Sequence, residues 1–113
     1  MSDRELLELA ARAVGYRTAS DARNVWIADS DGTRTVRFCP LDDSGQAFAL
    51  AVDLDLNVFH AANCAYAMPS EDDGSNEQRV SYAAAGGKYK ATRLAIVRAA
   101  AEIGRAALAQ EGS

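Results

Sequence analysis

The sequence predicts an α+β fold: an antiparallel four-stranded sheet made of two hairpins, with three helices, in the order α-β-β-α-β-β-α. Three observations carry this. Apolar residues recur at helical spacing within residues 3–14, within 44–54 and from Lys88 onward. Between these stretches lie runs richer in β-branched and aromatic residues, set apart by glycine, proline and acidic turn residues. Two strand pairs framed by helices suit a sheet with the helices packed on one face. At 113 residues the chain fits one domain, 1–113, with a tail that frays from about residue 109.

The first helix is the clearest element. Ser2 and Glu5 have capping-box spacing, Leu6, Leu9, Ala10 and Ala13 follow on one face, and Gly15 supplies the stop. Residues 19–24 read as a polar connection. Val25-Trp26-Ile27-Ala28 then meets Thr35-Val36-Arg37-Phe38 across Asp29 to Thr33, where Asp31-Gly32 offers hairpin-turn chemistry. Pro40 ends that strand, and Asp42, Asp43 or Ser44 caps a second helix over 44–54 whose face is Ala47, Leu50, Ala51 and Leu54. Residues 56–66 read as one strand, paired through the acidic loop 70–77 with Arg79-Val80-Ser81-Tyr82-Ala83. After Gly86-Gly87, a long alanine-rich helix carries the stripe Tyr89, Thr92, Ile96, Ala99, Ile103 and Ala106, with Arg98 and Glu102 spaced to pair on its exposed side.

Composition removes several function classes. Asp53, Asp55, His60 and Asn63 interrupt the most apolar stretches, so no membrane span is expected. The acidic start, Ser2-Asp3-Arg4-Glu5, is unlike a secretory signal, which makes the cytoplasm the expected compartment, with Cys39 and Cys64 reduced. His60 and Cys64, on one strand, would lie roughly 13 Å apart at about 3.3 Å per residue, too far for a nucleophile–base pair. No zinc spacing occurs, and Asp53-Leu54-Asp55-Leu56-Asn57 begins like a calcium loop but continues with Val58 and Cys64 where glycine and glutamate belong. No catalytic residue, metal or cofactor is therefore assigned.

Binding residues remain. Gly86, Gly87 and Lys88 ahead of a helix form one candidate, an anion site built from glycine amides and a lysine, although the flanking residues are not those of a Walker loop. Charge gives another. Residues 1–78 hold six Lys/Arg and fourteen Asp/Glu, net -8, while residues 79–113 hold six and two, net +4. The candidate partner-binding residues are accordingly Asp29 and Asp31 at the hairpin tip, Glu71, Asp72 and Asp73 in the acidic loop, and Arg93, Arg98 and Arg105 on the last helix, with charge steering encounter. Trp26, Tyr66 and Tyr82 are candidate aromatic anchors. No aromatic residues interleave with the basic ones as in nucleic-acid readers, so direct nucleic-acid binding is not expected; an acidic surface acting as a nucleic-acid mimic is the converse idea. Ala99, Ala100, Ala101 and Gly104 would let a second helix approach closely, which makes a homodimer a further alternative.

Two stretches carry a resemblance. Cys39-Pro40-Leu41-Asp42-Asp43-Ser44-Gly45-Gln46-Ala47 with Leu50-Ala51-Val52, and Ala91-Thr92-Arg93-Leu94-Ala95-Ile96-Val97-Arg98-Ala99-Ala100-Ala101-Glu102-Ile103-Gly104, resemble a family of small uncharacterised proteins of tailed phages and prophages of proteobacteria. Asp3 to Ala11 is similar too, whereas the strands and the acidic loop are not matched. Members often carry Trp-Asn-Pro-Leu where this chain has Phe38-Cys39-Pro40-Leu41. The family supplies no catalytic motif. What the resemblance implies is a setting: a phage accessory protein that binds a host protein stoichiometrically in the host cytoplasm, as an inhibitor of a defence system in the manner of an anti-CRISPR. A small-ligand or phosphate-binding domain and a self-associating module are the alternatives.

Overall fold

The computed structural model describes residues 2–21, 24–28, 35–71 and 77–111. It opens with α1 (Asp3–Ala13), where Ser2 Oγ accepts from the Glu5 N–H at 3.2 Å and its hydroxyl donates to Glu5 Oε1. Gly15, at φ +81°, turns the chain out of the helix. Three strands follow, β1 (Arg17–Ser20), β2 (Val25–Ala28) and β3 (Thr35–Arg37), as an antiparallel sheet in that order. The existence of β1 corrects the expectation of a polar connection over 19–24. All four of its residues are exposed, so the strand is specified by its ladder to β2, Arg17 opposite Ala28 and Ser20 opposite Val25. A strand that buries nothing carries no hydrophobic alternation to read.

Helix α2 (Ser44–Asp53) starts at Asp43, whose carboxylate accepts from the Gln46 N–H at 3.0 Å. The Gln46 side chain reaches back over the end of β3. Its Nε2 donates to the Arg37 carbonyl at 2.9 Å and its Oε1 accepts from the Cys39 N–H at 2.7 Å, which ties the helix to the first sheet. The helix ends at Leu54, and Asp55, at φ +52°, reverses the chain directly into β4 (Leu56–His60). Then come β5 (Cys64–Pro69), β6 (Gln78–Ser81), the single-turn α3 (Tyr82–Ala85) and the long α4 (Lys88–Glu111). β4, β5 and β6 form a second antiparallel sheet in that order.

The architecture among the described residues is therefore two three-stranded antiparallel sheets and four helices, which overturns the single four-stranded sheet with three helices. Two local events account for the second half of the difference. The run 56–66 is split by a turn at residues 61–63 that contains no glycine or proline. Tyr82 holds that turn from outside, its hydroxyl donating to the Ala61 carbonyl at 3.1 Å and its N–H to the Asn63 carbonyl at 2.9 Å. Residues 82 and 83, expected as strand, belong to α3, which Ser81 caps and Gly86 ends in the left-handed region.

The core is built from small side chains. Among the described residues it includes Ala10 and Ala11 of α1, Ala47 of α2, Ala65 and Ala67 of β5, and Ala91, Ala95, Ala99, Ala100 and Ala101 of α4, with Leu6, Leu50, Phe38, Ile96 and Val97 as larger members. α1 lies against α4 so closely that a Cβ at Gly104 would stand 1.9 Å from the Leu9 carbonyl oxygen. The small residues at 99–104 thus serve this intramolecular contact. The homodimer alternative loses the observation that suggested it.

Candidate functional site

The site grows out of the reversal at Asp55. α2 runs toward that residue and β4 runs back from it, so the two elements diverge as walls of a groove, and α4 crosses beneath as its floor. The groove has a volume of about 660 Å³, within the usual range of binding clefts. Ala47, Phe48, Ala51 and Val52 form the α2 wall, Leu56, Asn57 and Val58 the β4 wall, and Thr92, Arg93 and Ile96 the floor, with Tyr89 at the open end. Phe48 is 70% exposed, Val52 56% and Tyr89 76%. Large apolar side chains therefore stand in solvent around a cleft while alanines fill the interior. The usual order is the reverse, and an apolar patch of this kind marks an interaction surface.

Local sequence explains how α2 comes to do this. From Ser44 to Val52 the helix has no charged residue, so it is apolar on both sides. Ala47 and Leu50 are buried, with Ala51 and Leu54 packed against the core, whereas Phe48 and Val52, one turn apart, point away from it. That charge-free run was the available signal for the site. On α4, the expected stripe holds at its middle, where Ile96 and Ala99 are buried, but at its start Ala91 and Ala95 face the interior, which leaves Tyr89 outside and Thr92 and Arg93 at the groove.

Among the candidate partner-binding residues, Asp29, Asp31, Asp72 and Asp73 lie outside the described residues. Glu71 is exposed just past Ser70, which lines the end of the groove. Among the described members of the set, Arg93 is the one that the fold brings into the groove. Its Nε donates to the Leu41 carbonyl at 2.9 Å and its Nη1 to Ser44 Oγ at 3.0 Å, so the guanidinium is fixed by neutral partners. Arg98 is exposed on α4. Glu102 pairs with Arg105 at 2.6 Å and not with Arg98, and the pairing raises the Arg105 pKa above its ordinary value.

The glycine pair is engaged elsewhere. The Gly86 and Gly87 N–H groups both donate to the Tyr82 carbonyl, at 3.1 and 2.8 Å, closing α3, and so they offer no free amide cradle for an anion; Lys88 beside them is exposed. Of the aromatic candidates, Trp26 Nε1 donates to Asp21 Oδ2 at 3.0 Å, Tyr82 holds the 61–63 turn, and Tyr66 lies under the Arg79 guanidinium at 5.0 Å. A hydrogen bond with the Cys64 thiol, and then burial, push the Tyr66 phenol above its ordinary pKa, against the attraction of Arg79.

His60 and Cys64 sit on facing strands. His60 lies opposite Ala65, so Cys64 projects from the other face of the sheet. The His60 Nε2 lies 3.0 Å from Thr92 Oγ1, and since that hydroxyl donates to the Lys88 carbonyl, Nε2 is the donor to it. Cys39 and Cys64 are free thiols. Among the described residues no three His, Cys, Asp or Glu side chains gather as a metal site, and no helix is long and apolar enough to cross a membrane. No protein-family model matches the chain, and no curated protein and no solved structure is significantly similar to it.

Proposed function

We propose that this chain acts by stoichiometric protein binding through the α2–β4–α4 groove, as a phage- or prophage-encoded accessory protein that inhibits a host defence system in the host cytoplasm. The observation that supports binding is the inverted placement of side-chain size. Phe48, Val52 and Tyr89 are spent on an open cleft while the interior is packed with alanine. Such aromatic and branched side chains around a desolvatable pocket are what interface anchors require. The phage setting rests on the resemblance of residues 39–52 and 91–104, and the inhibitor role on that setting.

The test is capture from lysates of proteobacterial hosts with and without defence operons, using the wild-type chain, Phe48→Glu and Arg98→Glu. Both variants change exposed positions and should alter stability by no more than about 0.5 kcal/mol, checked by thermal melting. The expected result is one host protein recovered in stoichiometric amount by wild type and Arg98→Glu and lost with Phe48→Glu. Capture indifferent to Phe48→Glu would overturn the groove. Capture of nothing from any defence-bearing host would overturn the inhibitor role.

A further inference from the structure

The two walls of the groove differ in what they offer a partner: α2 presents side chains, but β4 presents backbone. Among the described residues β4 is an edge strand of the second sheet, with β5 on one side only. At the two ends of its ladder the Ala61 N–H donates to the Cys64 carbonyl at 2.9 Å and the Ser70 N–H to the Asp55 carbonyl at 3.0 Å. Bonded pairs alternate along an antiparallel ladder, so Asp55, Asn57, Phe59 and Ala61 turn their amide groups toward β5. Leu56, Val58 and His60 then turn theirs outward. Among the described residues these three make no backbone hydrogen bond outside the strand. The groove is lined by β4 and α2 but by no residue of β5, so it follows this open edge. No lysine, proline or bulge within Leu56–His60 blunts it.

Charge marks the two ends. Asp55 lies at the closed end, where α2 gives way to β4. Toward the other end, where α2 begins, stands Arg93, its guanidinium against Ser44. Neither joins an ion pair among the described residues. A strand antiparallel to β4 enters at the basic end and leaves at the acidic one.

Building on the groove as the binding surface, we propose that its occupant is an extended apolar segment of the target protein, added to the second sheet as a fourth strand antiparallel to β4. The Leu56, Val58 and His60 amide groups supply the ladder, and Phe48, Val52, Tyr89 and Ile96 receive alternate side chains. An acidic residue precedes the segment, opposite Arg93, and a basic one follows it, opposite Asp55. This is strand addition at a sheet edge, in which main-chain bonds give affinity and pockets for every second side chain give specificity.

The experiment selects short random segments from a displayed library on the immobilised chain, then synthesises the recovered segments with and without N-methylation at alternate amides. Selected segments should alternate apolar and polar residues, acidic at the amino end and basic at the carboxyl end. N-methylation on the β4-facing register should weaken binding roughly tenfold, the loss of one or two net backbone bonds, and leave the other register unaffected. Hydrogen exchange at Leu56, Val58 and His60 should slow on binding. On the protein side, Val58→Pro removes an outward N–H that the β4–β5 ladder does not use, so the strand tolerates it, while Val58→Ala controls for the side chain; only the proline variant should lose roughly tenfold. Segments with helical spacing, or binding insensitive to N-methylation and to Val58→Pro but lost with Phe48→Glu, would overturn strand addition and leave the groove standing. Segments indifferent to Phe48→Glu, or no enriched segment at all, would overturn both.

Discussion

Replacing Gly104 by alanine sets two effects of opposite sign against each other, and the structure decides between them. Gly104 lies well inside α4, where alanine is favoured over glycine by about 0.8–1 kcal/mol. The added methyl, however, would stand 1.9 Å from the Leu9 carbonyl oxygen and 2.8 Å from its carbon. That neighbour is helix backbone and cannot rotate aside, so α1 must withdraw by about 1 Å or more to restore van der Waals contact. Withdrawal loosens the contacts of Leu6, Ala10 and Ala11, all buried. Overpacking of this kind costs about 1–3 kcal/mol, and more when the helix as a whole must move, so we expect a net loss of about 1–2 kcal/mol. For a domain of this size that is a fall of roughly 4–10 °C in melting temperature. The assay is urea unfolding followed by helical circular dichroism, with Ala106→Gly as control at an exposed position of the same helix, where only propensity acts and about 1 kcal/mol should be lost. A Gly104→Ala chain as stable as wild type, or more stable, would refute the close approach of α1. A dimeric wild type whose mass alone responded to Gly104→Ala would return the small residues to self-association.

The remaining predictions concern the turn, the sheet and the core. Asp55 holds φ +52°, which a β-branched residue adopts only with strain, so Asp55→Val should lose about 1–2 kcal/mol in chemical denaturation while Asp55→Gly stays near wild type. Tyr66 should titrate above the free phenol value of 10.0, and Cys64→Ala should move it down, read by ultraviolet absorbance. The sign follows from linkage: a raised native pKa favours the neutral phenol, so this contribution is complete below pH 10.0 and is lost as pH rises through the native value. Leu50→Ala, at a side chain only 2% exposed, should cost about 2–4 kcal/mol, whereas Phe48→Glu, one turn-face away, should leave the melting curve nearly unchanged.

The parts of this fold that the sequence made legible are those decided by near neighbours. Ser2 with Glu5 bounds α1, Gly15 turns the chain out of it, and Asp43 caps α2, because each acts with backbone groups three or four residues away. The parts that escaped depend on distant partners. β1 has no buried residue and exists through its pairing with β2. The turn at 61–63 is stabilised by Tyr82, about twenty positions along, and a reading along the chain sees only an unbroken strand-like run. The site divides in the same way. A helix without charge between Ser44 and Val52 was visible, but its exposed side became a groove wall only when Asp55 folded β4 back beside it.

The distribution of side-chain size also bears on what the groove is for. A chain under selection for folding alone gains most by placing its largest apolar groups inside, since burying one of them is worth about 1.5–3 kcal/mol. Here Phe48, Val52 and Tyr89 forgo most of that gain, while alanine at ten core positions among the described residues contributes close helix approach and little transfer energy of its own. The arrangement becomes favourable only when something covers the groove. The free energy withheld from folding then reappears on binding, and the bound chain should melt above the free one by an amount that grows with the logarithm of partner concentration. A surface kept apolar only by chance would show no such dependence. Any ligand that protects Phe48 and Tyr89 from solvent must also raise the stability of α2, because those side chains and the buried Ala47 and Leu50 belong to one charge-free helix or to the floor it packs against.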